Sequence, residues 1–479
     1  MYKIIHGDPS GLDDVGKFVD LINDPPSPLR DLFNGDADVF VSRAPGRLDV
    51  MGGIADYSGS MVLELPIAEA TLAAVQKTDD RMIRIVSLHA KRDRYSDYRM
   101  SIHELTNAGD YAAVRNRFSR DRADRWASYA AGVFYVLIRE LGIEFSGGAR
   151  ILISSNVPVG KGVSSSAALE VAVMKAVCDA FEIGVEPLRL ALLCQKVENN
   201  IVGAACGVMD QVAVTCGQKD SLMSLICQPA EILGPVAIPA GVEFWGIDSG
   251  VRHAVAGSDY ASVRLGAFMG YRMIADIEGL HVEPAGDGRV RIVDDRWHGY
   301  LANVSPAEYE ERFSASVPEY IGGSEFLSRF GGTTDRFTSI VPTRSYAVRA
   351  PTEHAIYESS RVRAFSELLY DAVADTVMIQ LGELMFRSHA SYRACGLTEP
   401  RTEHIVDLVR KNQERGLYGA RITGGGSGGT VVVLAKRGSR EAIDRLADIL
   451  AAETGRRPYI FHGSSPGCAA FGHVRLAHT

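Results

Sequence analysis

A glycine- and serine-rich turn between a predicted strand and a predicted helix is the feature that most restricts how this chain can fold. Residues 149–156 form a β-rich run, and the turn that follows leads into apolar residues at helical spacing. The turn therefore lies at a helix N-terminus, where free backbone N–H groups and the positive end of the helix dipole attract anions. Its glycines allow close backbone approach and its serines offer hydroxyls to phosphate or metal. The pattern predicts a phosphate-binding loop, with a serine-capped helix after an ordinary turn as the alternative.

Two other segments combine with this loop. Residues 42–66 place Arg47, Asp49 and Asp56 among turn residues, and residues 419–435 carry a glycine run before an apolar run. In chain order the motifs are Ala-Pro-Gly-Arg, Pro-x-Gly-x-Gly-x-Ser-Ser-Ser-Ala and Gly-Gly-Gly-x-Gly-Gly. Together they resemble the three signature motifs of the GHMP small-molecule kinases. The resemblance implies an α+β fold of two lobes, with the active site between the N-terminal and C-terminal domains.

Within that superfamily the chain resembles the galactokinase branch, and most of all its arabinokinases. Residues 194–198 and 206–211 are similar to the galactokinase stretch that holds a magnesium ligand and the catalytic aspartate, while residues 47–59 and 348–358 look like the arabinokinase kinase domain. The resemblance implies transfer of the γ-phosphoryl group of ATP to the anomeric hydroxyl of L-arabinose, with Mg²⁺. A kinase acting on D-galactose and a non-catalytic sugar sensor are the alternatives.

The resemblance assigns roles to individual residues. Asp210 is the expected general base, and Arg47 is expected to hold it ionised and to neutralise charge on the transferred phosphoryl group. A helix-capping or core-paired aspartate and a surface arginine are the plain alternatives. An aspartate beside an arginine is a weak base, so alignment and charge stabilisation are expected to supply much of the catalysis.

Glu198 and Ser166 match the magnesium ligands of the family, and Mg²⁺ needs only one or two protein groups besides the ATP phosphates. Trp126 and Tyr129 resemble an element near the adenine, although an ordinary aromatic helix face explains them nearly as well. The residues expected at ATP are Trp126, Pro158, Gly160, Lys161, Gly162, Ser164, Ser165, Ser166, Gly425 and Gly426.

Two other nucleotide folds are disfavoured. Gly424, Gly426 and Gly429 satisfy G-x-G-x-x-G, but residues 431–434 predict a strand, whereas a dinucleotide fingerprint opens a helix. No G-x-x-x-x-G-K-[ST] motif of the P-loop kinases occurs.

The sugar pocket is where the chain departs from galactokinases. Those enzymes read Gly-Glu-His-x-Asp-Tyr where this chain has Gly53 and Ile54 in place of the Glu and His. L-arabinopyranose is D-galactopyranose without its hydroxymethyl arm. Loss of polar groups toward the 6-hydroxyl, with Asp56 and Tyr260 retained for the ring hydroxyls, is what a pentose site requires. We therefore expect a preference for L-arabinose, with open space at Gly53.

Composition fits a cytoplasmic two-domain enzyme. The 479 residues carry a net charge of −8 without a Lys/Arg cluster, so nucleic acid is an unexpected partner. Seven cysteines without a C-x-x-C pair suggest neither disulfides nor zinc, and neither a membrane-spanning run nor a secretory signal occurs. A monomer or weak homo-oligomer is expected.

The chain is expected to divide into an N-terminal extension (1–38), a nucleotide-binding domain (39–240) and a C-terminal domain (241–479). Strands are predicted at 39–43, 60–66, 68–76 and 82–87, and helices at 125–141 and 260–278. Residues 283–345 show weak periodicity and many turn formers, so they are expected to be an insertion or cap.

Overall fold

The computed structural model describes residues 1–35, 37–88, 95–121, 123–252, 258–372 and 374–479. Its strands are β1 (Tyr2–His6), β2 (Val39–Met51), β3 (Met61–Thr78), β4 (Met82–Leu88), β5 (Tyr95–Ser101), β6 (Gly148–Ser155), β7 (Ser221–Ile226), β8 (Glu231–Ala237), β9 (Val242–Asp248), β10 (His281–Gly286), β11 (Arg289–Val293), β12 (Tyr320–Gly322), β13 (Ser345–Ala347), β14 (Leu417–Ile422), β15 (Thr430–Lys436), β16 (Ile460–His462) and β17 (Val474–His478).

The helices are α1 (Asp13–Asn23), α2 (His103–Thr106), α3 (Tyr111–Ser119), α4 (Ser128–Leu141), α5 (Ser165–Ala180), α6 (Pro187–Lys196), α7 (Met209–Cys216), α8 (Ser258–Glu278), α9 (Pro306–Arg312), α10 (Gly323–Phe330), α11 (Arg349–Leu369), α12 (Asp375–Ala394), α13 (Pro400–Arg410), α14 (Arg440–Thr454) and α15 (Cys468–Phe471). Among the residues described here, no helix is both long enough and apolar enough to cross a membrane.

A nine-stranded sheet forms the first lobe, in the order β1-β17-β2-β3-β6-β4-β5, with β7 pairing β3 and β8. The pair β4–β6 is parallel and the other strand pairs in it are antiparallel. Alternate residues of its central strands point to opposite faces. Ala73 and Val75 pack in the core that contains α4 and α5, while Leu72 and Ala74 pack against α1. Because helices cover both faces, these strands are largely buried and mostly apolar.

The two strands predicted at 60–66 and 68–76 are one strand, β3. The pairing register with β2 shifts between Pro45 and Arg47, where the partners change from Ala70 to Pro66. Proline lacks a backbone N–H and is tolerated in a sheet at such an irregularity. The irregularity interrupts the sequence pattern, which is why it predicts two strands there.

A four-stranded antiparallel sheet, β14-β15-β9-β16, forms the second lobe. Its core joins Trp245 and Val433 to Ile405 of α13 and Ile443 of α14. The turn between β14 and β15 is the glycine-rich loop predicted from the sequence, and it points back toward β2. The predicted boundary near residue 240 falls between β8 and β9, which belong to different sheets, whereas the C-terminal strand β17 returns to the sheet of the first lobe.

Residues 283–345 build a small folded unit against α8 and α11. A hairpin β10–β11, the helices α9 and α10 and the strand pair β12–β13 surround a core that contains Trp297, Tyr309, Phe313 and Phe326. The unit is also tied to α8 by a buried bidentate ion pair, in which the Arg264 guanidinium donates to both carboxylate oxygens of Asp335 at 2.9 Å. Its elements are short, so no long periodic pattern marks them in the sequence.

Candidate functional site

The three predicted motifs meet at one cleft of about 710 Å³ between the lobes. Residues from β2, from the phosphate loop, from the glycine loop and from the start of α7 and α8 all line it. The lining residues are Arg47, Ile54, Asp56, Arg125, Trp126, Tyr129, Val159, Gly160, Gly162, Val163, Ser164, Ser165, Ser166, Glu198, Val202, Gly203, Ala204, Cys206, Gly207, Met209, Asp210, Arg252, Tyr260 and Gly425.

The phosphate loop presents an uncapped helix end to this cleft. Ser164 precedes α5 in a left-handed conformation (φ 59°), and its side chain does not cap the helix. Its hydroxyl is buried without a hydrogen-bond partner among the described residues. A buried hydroxyl without a partner costs free energy, and a free helix N-terminus favours an anion. The loop therefore fits a phosphate group.

Glycines bring the three motifs into backbone contact. A Cβ on Gly46 would lie 2.6 Å from the carbonyl oxygen of Val163, so only glycine lets β2 approach the phosphate loop this closely. A Cβ on Gly424, which has φ 68°, would similarly lie 2.9 Å from the carbonyl oxygen of Gly162. The glycine loop thus lies directly on the phosphate loop, and side chains at these positions would separate the motifs.

Arg47 is buried between two carboxylates. Its guanidinium donates to Oδ1 of Asp210 from Nε at 3.0 Å and from Nη2 at 2.6 Å, and Nη1 donates to the carbonyl of Gly162 at 2.7 Å. Oε2 of Glu64, the residue opposite Asp49 on β3, lies 3.1 Å from Nε. Burial opposes the charge on Arg47, but the carboxylates of Asp210, Glu64 and Asp49 outweigh it and raise the arginine pKa above its ordinary value. A permanent cation therefore stands beside Asp210.

Carboxyl groups around this arginine are held close to neutrality. Burial, together with the charge of Asp210, raises the pKa of Asp56 to about 7 and that of Glu198 to about 7. The pKa of Glu64 is raised well above its usual value, chiefly by burial and the charge of Asp49. Each of these three carboxyls is therefore harder to ionise than a free one, and a cation bound beside Glu198 would stabilise its charged form.

Glu198 and Ser166 lie together as candidate magnesium ligands. Glu198 lies in a π-helical turn, Val197–Val202, a distortion that is frequent at functional sites. Its carboxylate accepts a hydrogen bond from Ser166 and one from Nε2 of Gln211 at 2.6 Å. A carboxylate and a hydroxyl, both facing a phosphate loop, form the hard oxygen donor set that Mg²⁺ prefers. A divalent cation there would also compensate the buried charge of Glu198.

Asp49 connects the site to the second lobe. Its carboxylate forms a fully buried ion pair with Arg421 of β14, with Nη1 and Oδ2 2.9 Å apart. The same carboxylate accepts hydrogen bonds from the backbone N–H of Gly53 at 3.0 Å and of Gly424 at 3.1 Å. The Asp49 N–H donates to the hydroxyl of Thr423 at 2.7 Å. Asp49 therefore fixes the first motif to the glycine loop.

The predicted sugar residues lie at one end of the cleft, with one exception. Ile54, Asp56 and Tyr260 line it, and the backbone at Gly207 passes so close to the Asp56 carboxylate that a Cβ there would overlap it. Gly53 does not line the cleft. A Cβ on Gly53 would point into a buried cluster and overlap the hydroxyl of Tyr392, so the expected open space at Gly53 is absent.

Of the residues predicted to contact ATP, some line the cleft and others do not. Trp126 lines the cleft from a short 3₁₀ turn before α4, next to Tyr129, and Gly425 lines it from the glycine loop. Pro158, Lys161 and Gly426 do not line it. The Lys161 ammonium instead pairs with Asp248 of β9 at 2.9 Å, so it contributes to the contact between the lobes.

Several lining or supporting groups were not predicted. Arg125 and Arg252 bring two more cations to the cleft. Arg125 directly precedes Trp126, which gave a sequence signal, and Arg252 belongs to residues 248–253, which resemble a galactokinase segment, but neither arginine was given a role. Glu64 interrupts the apolar run 61–67, and an acidic residue in a buried strand indicates a paired or functional carboxyl.

Comparisons with known proteins find three matching family models and related sequences. The GHMP kinase N-terminal domain matches residues 128–218, the GHMP kinase C-terminal domain matches residues 369–453, and the galactokinase galactose-binding signature matches residues 29–77. An L-arabinokinase from Arabidopsis thaliana is 41% identical across 99% of this chain, and the chain spans about half (52%) of that relative's length. A galactokinase from Chloroflexus aggregans is 30% identical, with 82% of this chain and 83% of the relative covered.

Solved structures share the fold. The galactokinase of Lactococcus lactis in complex with galactose superimposes with a TM-score of 0.70 at 20% identity, covering 93% of this chain and 99% of that one. The mevalonate kinase of Methanococcus jannaschii gives a TM-score of 0.55 at 14% identity, over 89% and 98% of the two chains. The predicted α+β fold is therefore confirmed.

The raised pKa of Asp56 predicts a pH-dependent stability difference. From its ordinary value of 3.8 up to about 7, the folded protein holds a proton on Asp56 that the unfolded chain has lost, so stability falls as pH rises through that window. We expect Asp56→Asn to become more stable relative to the unsubstituted protein by about 2 kcal/mol between pH 5 and pH 8. Urea denaturation at both pH values measures this difference.

Asp80→Asn is the matched control. Asp80 is hydrogen-bonded to Arg150 and its pKa is lowered, so it is ionised in both states above pH 5. Its stability effect should not change over this range. An Asp56→Asn effect that is equally constant would show that Asp56 does not carry the proton.

Proposed function

The chain belongs to the galactokinase family of the GHMP kinases, and from this premise we propose that it is an ATP-dependent sugar 1-kinase. Its substrate in this proposal is L-arabinose, and its products are L-arabinose 1-phosphate and ADP. The proposal includes the lobes 39–240 and 241–479, the insertion 283–345 and the individual roles given below.

One observation carries the proposal. The Arg47–Asp210 pair lines the same cleft as an uncapped phosphate-binding helix end and the proposed sugar residues Asp56 and Tyr260. A phosphoryl donor on the helix end and a hydroxylated acceptor beside Asp56 would therefore both be within this one cleft. Phosphoryl transfer requires alignment of donor and acceptor more than any covalent contribution from the protein.

In the reaction, the anomeric oxygen of the sugar attacks the γ-phosphorus of ATP. A bond from that oxygen to phosphorus forms, the bond from phosphorus to the β,γ-bridging oxygen breaks, and ADP leaves with the electron pair. Asp210 accepts a hydrogen bond from the anomeric hydroxyl and takes its proton as the new bond forms. Arg47 holds the Asp210 carboxylate in place and neutralises negative charge on the phosphoryl group in transit.

The pairing with Arg47 fixes the orientation of the Asp210 carboxylate. The main contribution of the pair is therefore alignment of the acceptor hydroxyl and stabilisation of transition-state charge. Arg125 and Arg252 extend this positive surface along the phosphates.

Glu198 and Ser166 would hold Mg²⁺, which when bound would neutralise charge on the phosphates. Both residues line the cleft beside the phosphate loop. Around Glu198, the amide of Gln211 fixes the carboxylate orientation. Trp126 is placed to contact the adenine in this proposal.

The sugar end of the cleft favours a pentose. Ile54 presents hydrocarbon there, in a cluster with Tyr260, Leu397 and Ile422. A hydroxymethyl arm placed against this wall would bury its hydroxyl without a partner, which costs free energy. Asp56 offers carboxyl oxygens to the ring hydroxyls, and Oδ1 lacks a hydrogen-bond partner among the described residues. The 41% identity to an L-arabinokinase supports the same substrate.

A pair of sugars tests the substrate. L-arabinose and D-galactose share ring stereochemistry and differ by the hydroxymethyl arm, so each is the control for the other. We expect kcat/KM for L-arabinose to exceed that for D-galactose by about 10- to 200-fold, the usual range for rejecting one extra group. ADP release measures the rates and ³¹P NMR identifies the 1-phosphate. A preference for D-galactose would replace the pentose assignment, and binding without ATP turnover would indicate a sensor.

Asp210→Asn tests the chemistry. The amide cannot accept the proton, so kcat should fall about 10²-fold or more while sugar binding changes little. Asp179→Asn is the control, because Asp179 is also paired with a cation, Lys175, but outside the cleft. Single-turnover kinetics and calorimetric sugar binding give the two readouts. Near-normal turnover of Asp210→Asn would remove it from the reaction.

Glu198→Gln tests the metal site through binding alone. Mg²⁺ should strengthen ATP binding to the unsubstituted protein much more than to the variant, because a neutral amide is a poorer ligand for a hard cation. Calorimetry of ATP binding in Mg²⁺ and in EDTA measures this difference. Glu140→Gln, which removes a carboxylate paired with Lys196 outside the cleft, should leave it unchanged. An equal Mg²⁺ effect in Glu198→Gln would exclude Glu198 as a ligand.

A further inference from the structure

A buried tyrosine of the second lobe occupies the place where a side chain at position 53 would go. Tyr392 lies on α12 and is fully buried. A Cβ added to Gly53 would overlap its hydroxyl oxygen, and Gly53 also has φ 51°, which side-chain-bearing residues rarely adopt. The glycine and the tyrosine are therefore complementary: the phenol fits because position 53 has no side chain.

Both hydrogen bonds of the Tyr392 hydroxyl go to backbone of the cleft loops. The hydroxyl accepts from the N–H of Ile54 at 2.8 Å and donates to the carbonyl of Gly424 at 2.8 Å. The hydroxyl thereby links the first motif to the glycine loop. The link is made at Ile54, whose side chain lines the cleft.

The tyrosine ring is itself held rigidly. The guanidinium of Arg421 lies 5.1 Å from the ring centroid, and the ring of His354 packs edge-on with centroids 5.1 Å apart. Arg421 is fixed in turn by its buried pair with Asp49. A hydroxyl on such a fixed ring holds its partners in one geometry, because the ring has no room to move.

The side chain of Ile54 is the part of the cleft that this arrangement positions. It is 1% exposed and packs with Tyr260, Val263 and Leu397, yet it still borders the cleft. With its N–H anchored on Tyr392, the side chain cannot retreat to admit a larger sugar, and no side chain at 53 can offer a polar group in its place.

We infer that Tyr392 is a specificity-determining positioning residue, which fixes Ile54 as an apolar wall against sugars that carry a hydroxymethyl arm. It acts through Ile54 and contacts neither the sugar nor the transferred phosphoryl group. This inference rests on the proposed sugar kinase activity and deepens its account of the substrate.

Tyr392→Phe tests the inference, because it removes only the hydroxyl. The ratio of kcat/KM for L-arabinose to that for D-galactose should fall about 3- to 10-fold, the range expected for loss of a buried hydrogen bond. The fall should come mainly from a lower KM for D-galactose, because the loosened wall then admits the hydroxymethyl arm, while kcat and the KM for ATP stay within about twofold of the unsubstituted protein. Tyr135→Phe is the matched control, since this buried tyrosine also donates to a glycine carbonyl, that of Gly109, away from the cleft.

A double-mutant cycle tests the contact itself. Gly53→Ala should lower the melting temperature strongly, and Tyr392→Phe should restore part of that loss in the double variant, because the nearest atom that the Cβ meets, the Tyr392 hydroxyl oxygen, is then absent. The close approaches of the Cβ to Nη2 of Arg421 and Oδ2 of Asp49, each at 2.8 Å, and the strain of alanine at positive φ are present with either residue at 392, so they cancel in the cycle. Additive effects on the melting temperature would overturn the contact.

The sugar ratio decides the specificity role. If Tyr392→Phe changes kcat/KM for both sugars by the same factor, or changes neither, Tyr392 does not determine specificity and the inference is wrong. If the unsubstituted protein phosphorylates neither sugar, the proposed function fails instead, while the coupling between positions 53 and 392 in the melting temperature still reports the contact.

Discussion

The buried ion pair between Asp49 and Arg421 is the interaction on which the rest of the site depends. It joins the first strand motif to the second lobe, and the same carboxylate also receives the N–H groups of Gly53 and Gly424. Burying two charges is costly unless each is fully hydrogen-bonded, and loss of one partner leaves the other charge unpaired. The pair therefore restricts the two lobes to one relative position, and that position sets the width of the cleft.

Several buried carboxyl groups lie near this junction, and simultaneous ionisation of all of them is unfavourable. Asp56, Glu64 and Glu198 all have raised pKa values, because burial disfavours their charged forms and because neighbouring carboxylates repel. Arg47 supplies the compensating charge and is bonded to Asp210. These repulsions disfavour the fold electrostatically, and a cation bound with nucleotide would relieve them. Buried carboxyls such as Asp56 and Glu198 lower the stability of the fold, and the proposed chemistry uses both of them.

The folded unit of residues 283–345 contributes to the site indirectly. Its Asp335 holds Arg264 of α8, whose guanidinium lies 5.2 Å from the ring centroid of Tyr57, and whose charge acts to lower the pKa of Asp56. The unit therefore acts on Asp56 through charge and packing, by way of α8. It shares a core with α8 and α11, so it stiffens the helix that presents Tyr260.

The sequence alone determined the elements whose signals are local. The strand, turn and helix around residues 149–180 follow from periodicity and turn residues, and the three ordered motifs led to the family and the α+β fold. The motifs also predicted that Arg47, Glu198 and Asp210 share one site, and all three line the cleft. Local signals could not show the course of the chain ends, because β1 and β17 acquire their place only by pairing with a distant strand. Local signals also could not show why position 53 is a glycine. The reason is contact with Tyr392, which lies 339 positions later in the chain. Contacts between residues far apart in sequence depend on how the two lobes pack, and only the tertiary structure decides that.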